Sequence, residues 1–108
     1  MVANHSKTIK IKTMYGNMDL TLVYNKENKL NNIFILLGKS GTTVQAKIEA
    51  IARLVNLCLE YKIPIKEIQK HLLGIRGRHT INYDGKIFYS IPDVLSYIIF
   101  NEQELKES

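Results

Sequence analysis

The sequence predicts one α+β domain: a three-stranded antiparallel meander packed on a long central helix, with two further helices and room for a short extra strand. Three observations carry this. Apolar and polar residues alternate along the first part of the chain, the period of a half-buried strand. From Val44 to Cys58 the apolar residues recur instead at helical spacing. A chain of 108 residues has space for one hydrophobic core. The domain is expected over residues 8–101, with a flexible N-terminus at 1–7 and an acidic C-terminal tail at 102–108 that reads as a frayed helix end.

The elements follow in order. From Thr8 to Thr13, Ile9 and Ile11 fall on one face and Thr8, Lys10 and Lys12 on the other, a half-buried strand. Tyr15-Gly16-Asn17 is a turn, after which Met18, Leu20 and Leu22 alternate with Asp19, Thr21 and Val23, so the pair reads as a hairpin. Asn25 to Lys29 is a polar turn. Ile33-Phe34-Ile35-Leu36-Leu37 is apolar on both faces, as expected of a strand covered on both sides or central in its sheet. In the first helix Val44, Ile48, Ile51, Val55 and Cys58 form a stripe that Leu54 and Leu57 widen, and it is expected to run to about Tyr61 as the centre of the core. Ile63-Pro64 ends it, and Pro64 suits the first turn of a second helix with Ile65, Ile68 and Leu72 inward and Gly74 as terminator. The stretch from Ile75 to Tyr89 is polar and irregular, with a turn at Asp84-Gly85 and a short strand at Lys86 to Tyr89. Ser90-Ile91-Pro92-Asp93 has the signature of a helix start, and Val94, Leu95, Ile98 and Ile99 supply the apolar face of that last helix.

Composition narrows the class. Hydrophobic residues make up 45% and charged residues 23%, which excludes extended disorder. No apolar run approaches the ~20 residues that span a bilayer. Met1 to Lys7 carries no apolar signal core, so a cytoplasmic setting is expected. The single cysteine, Cys58, can form neither an internal disulfide nor a four-cysteine zinc site, and no metal or other cofactor is expected. The net charge of +5 favours an anionic partner such as nucleic acid or a phosphorylated metabolite, and fits ordinary solubilising charge equally well.

Two segments hold the residue types that bind anions. At Gly38-Lys39-Ser40-Gly41-Thr42-Thr43, a glycine-flanked turn opens a helix. Backbone N–H groups, the helix N-terminus and the side chains of Lys39, Ser40, Thr42 and Thr43 can converge on a phosphate there. It is not a nucleoside-triphosphate P-loop, because Ile33 stands where that pattern needs its first glycine. The competing reading is a tight turn with a Ser or Thr cap. At Gly74-Ile75-Arg76-Gly77-Arg78-His79, two arginines flank a glycine just past a helix end, a forked-donor loop suited to phosphate or carboxylate. The competing reading is arginines satisfying helix carbonyls. Tyr83, Phe88 and Tyr89 nearby offer faces for base stacking or cover for the core. Catalytic patterns are weak: His5, His71 and His79 are scattered, and Asp19, Asp84 and Asp93 suit turn, surface and cap roles. Arg53 reads as a surface partner of Glu49 or Glu60, or as a buried charge. No enzyme activity is expected.

Four stretches together, Phe34 to Gly41, Ala52-Arg53-Leu54, Leu73-Gly74-Ile75-Arg76 and Ser90-Ile91-Pro92-Asp93-Val94, resemble the TSCPD domain. This is a small module found at the C-terminus of adenosylcobalamin-dependent ribonucleotide reductases and in stand-alone proteins. They occur in the family's order between about Thr13 and Ile99. The family usually carries cysteines where Gly77 and Ile91 stand here, so the resemblance implies the scaffold without any thiol or metal role. The reductase's catalytic barrel, radical cysteine and cobalamin site have no counterpart in this chain.

The expected function is therefore non-catalytic binding of a phosphorylated, nucleotide-like small molecule. Lys39, Ser40, Gly41, Thr42 and Thr43 would take phosphate, Arg76, Arg78 and His79 would hold anionic groups, and Tyr83 or Phe88 would stack on a base. One concrete form is a viral anti-defence protein that sequesters a cyclic nucleotide signal. A homo-oligomer is expected, since a small domain has little room for an enclosed pocket and a subunit interface can form one. The alternative is an accessory or regulatory protein-interaction module for a ribonucleotide reductase. Nucleic-acid binding is disfavoured, because no clustered basic helix or aromatic strand motif is present.

Overall fold

The computed structural model describes residues 5–38 and 43–107. In chain order it contains β1 (His5–Thr13), β2 (Gly16–Tyr24), β3 (Leu30–Leu37), α1 (Thr43–Glu60), α2 (Ile65–Leu72), β4 (Ile81–Tyr83), β5 (Lys86–Phe88) and α3 (Ile91–Glu107). The α+β class, the antiparallel meander and the long helix agree with the sequence reading. The segment before α3 holds a two-stranded hairpin rather than a single short strand, with Ile81 opposite Phe88. Its turn is Asp84-Gly85, both residues with positive φ, as hairpin turns of the primed types require.

Alternation dictates the sheet. Ile9 pairs with Leu20 and Ile11 with Met18, all inward, while Lys10 lies opposite Asp19 on the outer face. Their Nζ–Oδ1 separation is 3.6 Å. Next to them Thr8 and Thr21 share a 2.9 Å hydroxyl hydrogen bond. On the other side of β2, Leu20 pairs with Ile35 and Leu22 with Ile33, and the register shifts between Val23 and Tyr24.

β3 corrects one expectation. The strand order is β1-β2-β3, so β2 is central and β3 is an edge. Its second apolar face is not covered: Phe34 and Leu36 point outward and are 57% and 63% exposed. The edge is closed by side-chain amides. Ile33 N–H donates to Asn56 Oδ1 at 2.7 Å, and Asn56 Nδ2 donates back to Ile33 O at 3.0 Å. Leu30 N–H donates to Gln103 Oε1 at 2.9 Å and Leu37 N–H to Gln45 Oε1 at 3.3 Å. Asn56 thus stands in for a neighbouring strand's peptide group, which blunts an edge otherwise open to pairing.

The core joins the inner sheet face to Ile48, Ala52 and Val55 of α1, Ile68 of α2, Ile81 and Phe88 of the hairpin, and Ile91, Val94, Leu95, Ile98 and Ile99 of α3. Leu54 and Leu57 do not widen the buried stripe of α1. They lie on its opposite face, 63% and 49% exposed, because the helix rests on β3 with one side only. β1 begins at His5, and α3 continues through the acidic stretch to Glu107. Lys7 Nζ meets Glu102 Oε1 at 2.9 Å, tying the two ends together.

Candidate functional site

The start of α3 holds the arginine loop in place. Ser90 caps the helix, its Oγ accepting Asp93 N–H at 3.2 Å, and the same hydroxyl donates to Ile75 O at 2.5 Å. Asp93, three residues on, does not return to the Ser90 backbone as a plain capping box would. Its carboxylate accepts Gly74 N–H at 2.7 Å and Tyr89 N–H at 2.8 Å, joining the end of α2 to the start of α3. Gly77 N–H donates to Tyr89 O at 2.9 Å. A Cβ at position 77 would lie 3.1 Å from Ser90 Cβ and 3.4 Å from Tyr89 O, so the loop packs this closely because it has glycine there. Ser90 and Asp93 are both buried, so these bonds form away from competing water.

The clasp presents Arg76. Its guanidinium carbon sits 4.4 Å from the centroid of the Tyr89 ring, a cation–π stack that fixes the side chain while leaving it exposed. Arg78 is also exposed, and neither arginine forms an ion pair among the described residues. His79 is half-buried, with its ring edge-on to Tyr15 at 5.8 Å. Tyr15 belongs to the β1–β2 turn, and the neighbouring Asn17 accepts Gly38 N–H at 2.8 Å. A Cβ on Gly38 would come within 3.2 Å of that Asn17 carbonyl. The β1–β2 turn therefore links the arginine loop to the start of the glycine-lysine junction.

The sequence-predicted residues divide accordingly. Arg76, Arg78 and His79 share one loop beside the β1–β2 turn. Thr43 opens α1 and is exposed, while Lys39, Ser40, Gly41 and Thr42 lie outside the described residues. Of the proposed stacking rings, Phe88 is a core residue, 7% exposed and 4.9 Å from the Tyr97 ring. Tyr83 is half-buried edge-on to Tyr97, with its phenol pKa raised by burial and then by the nearby Asp84 carboxylate. Tyr89 is the aromatic that stands open beside an arginine. Sequence reasoning missed Tyr15 and the bridging role of Asp93. An aromatic at a turn tip was the visible signal for the first. The second depends on a contact 19 residues away in the chain.

Two clefts lie at the other end of the sheet. One of about 440 Å³ is lined by Lys29, Lys62, Lys66, Ile63, Ile65 and Phe100. A second, of about 520 Å³, opens between Asn32, Arg53, Asn56 and Leu57. Among the described residues, no group of three or more His, Cys, Asp or Glu is placed to hold a metal ion, and no helix is long and apolar enough to cross a membrane.

Comparison with protein families gives a match to the TSCPD domain over residues 2–103. Comparison with curated proteins and with solved structures gives no significant match. Ser90 and Asp93 of the motif read as Ser90-Ile91-Pro92-Asp93 supply the side chains of the clasp.

Proposed function

The chain belongs to the TSCPD domain family, a module related to ribonucleotide reductase, and we propose that it is a non-catalytic binder of a phosphorylated, nucleotide-like ligand. The observation that carries this reading is Arg76, held over Tyr89 by a buried Ser90–Asp93 clasp yet exposed and without an ion pair among the described residues. A guanidinium fixed in this way keeps its outward N–H groups for phosphate or carboxylate. Arg78 and His79 supply further donors in the same loop, and the Tyr89 ring offers an apolar edge for a base. The site is an open surface, so a ligand would be enclosed only where a second surface covers it.

A non-catalytic binder of this kind acts by holding its ligand out of circulation. Sequestration of a cyclic nucleotide defence signal by a viral protein is the concrete form of this reading. A thermal-shift screen of nucleoside mono-, di- and triphosphates and cyclic nucleotides tests the reading. A ligand at one hundred times its Kd stabilises the fold by ~2.7 kcal/mol. Arg76→Ala should abolish that shift and Lys62→Ala, in the distant cleft, should leave it. A shift lost with Lys62→Ala and kept with Arg76→Ala would move the site to the cleft, and turnover of the bound nucleotide would overturn the non-catalytic reading.

A further inference from the structure

α1 is apolar on two opposite sides, and only one of them is used. Inward lie Ile48, Ala52 and Val55. Outward, at intervals of four, four, three and four residues, lie Ala46, Ala50, Leu54, Leu57 and Tyr61, all exposed, with Tyr61 at 72%. At about 100° per residue these five share one face of the helix, turned away from the core. The helical turn carries on far enough to include Tyr61, whose N–H donates to Leu57 O at 3.1 Å. A polar cleft lined by Asn32, Arg53 and Asn56 separates this face from the outer surface of β3, where Phe34 and Leu36 are also exposed. Contiguous apolar surface of this kind marks an interaction site.

We propose that this face is the interface of a two-fold dimer in which α1 of one copy packs antiparallel on α1 of the other. Two features of the helix select a second copy as the occupant. The first is self-complementary size. A two-fold axis passing between Arg53 and Leu54 sets small against large on both sides: Ala46 opposite Tyr61 and Ala50 opposite Leu57, with the two Leu54 side chains meeting at the axis. Arg53 is already neutralised within its own helix by Glu49, 3.1 Å away, so two copies of it tolerate each other near the axis.

The second feature is charge. α1 has no acidic residue in its first turn and no basic residue in its last. Lys47 lies toward the N-terminal end and Glu60 is the final residue, the reverse of what a helix dipole favours. An antiparallel neighbour corrects both. It brings the Glu60 end of one helix beside the positive end of the other, and the Lys47 end beside the negative end. The inference does not depend on the ligand-binding reading, because α1 and the arginine loop are separate surfaces.

Sedimentation equilibrium on the full chain without nucleotide tests it. The parent should be dimeric, or an even-numbered multiple, and Leu57→Glu should at least halve that mass while its far-ultraviolet circular dichroism stays unchanged. Glu60→Lys, a surface change that leaves folding intact, should weaken association several-fold. The register is tested in a Cys58→Ala background, where Leu54→Cys should form an intermolecular disulfide under mild oxidation and Lys66→Cys should not. A parent that is monomeric at all concentrations would overturn the proposal. So would an assembly indifferent to Leu57→Glu, or cross-linking by Lys66→Cys in place of Leu54→Cys.

Discussion

Of the two long helices, α3 keeps Val94, Leu95, Ile98 and Ile99 at 2% exposure or less, whereas α1 buries only Ile48, Ala52 and Val55. The difference extends to their polar groups. The start of α3 is capped by Ser90, and Asp93 fastens it to the end of α2. α1 has no acidic residue in its first turn, no basic residue in its last, and an apolar face turned to water. One helix is satisfied by its own chain. The other is satisfied on one side only, so the same kind of side chain should matter very differently in the two.

The sharpest test is a matched truncation. Leu95→Ala removes a fully buried side chain from α3 and should lower stability by about 3–4 kcal/mol, the usual range for a core leucine that leaves a cavity. Urea denaturation followed by circular dichroism measures it, and a loss under about 1 kcal/mol would show that α3 is not the anchored helix. Close behind comes Asp93→Ala, which leaves Gly74 N–H and Tyr89 N–H without their carboxylate acceptor. Two bonds to a charged, buried group make about 3 kcal/mol the expected loss. Ser90→Ala, losing the cap and the bond to Ile75 O, should cost about 1–2 kcal/mol. Both variants should also weaken any ligand shift that requires Arg76, because the loop carrying it is released.

A pH-selective loss comes next. Burial pushes the Tyr24 phenol up to about 12, with the Glu102 carboxylate adding to the effect. The unfolded phenol ionises near 10, so the fold favours the neutral form. The stability this gives is complete below pH 10 and disappears as pH rises toward 12. Denaturation midpoints at pH 9 and pH 11.5 should differ less in Tyr24→Phe than in the parent. Asn56→Ala, which uncovers the Ile33 peptide on the β3 edge, should cost about 1–2 kcal/mol. It should also raise the tendency to aggregate on heating.

The same contrast explains what the sequence made legible. β1 and β2 were readable because each has a polar outer face, so alternation named the inner one. β3 misled because Phe34 and Leu36 are as apolar as Ile33 and Ile35, and alternation cannot tell a covered face from one left open. Leu54 and Leu57 misled in the same way on α1. Hydrophobicity reports that a residue prefers burial, while the folded chain decides whether its own elements provide it. β4 was missed because Ile81-Asn82-Tyr83 is too short for a period to show. At the site, the arginines and the Ser90 cap were visible as local patterns, and Asp93 could be assigned a cap. Its hold on Gly74 was not visible, because that contact exists only once α2 and α3 pack together.

The smallest expected effect closes the comparison with Leu95→Ala. Leu57→Ala removes a similar amount of hydrocarbon from α1, yet from a side chain 49% exposed in the isolated chain. Measured at protein concentrations low enough to keep the chain monomeric, it should change stability by less than about 0.5 kcal/mol, as surface substitutions do. At high concentration, association adds to the apparent stability of whatever it binds, so the same variant should then melt below the parent. A Leu57→Ala penalty that is absent when dilute and grows with concentration places the missing cover of α1 on a second molecule. A penalty of constant size would mean that Leu57 is packed within its own chain, and α1 would then be as self-sufficient as α3.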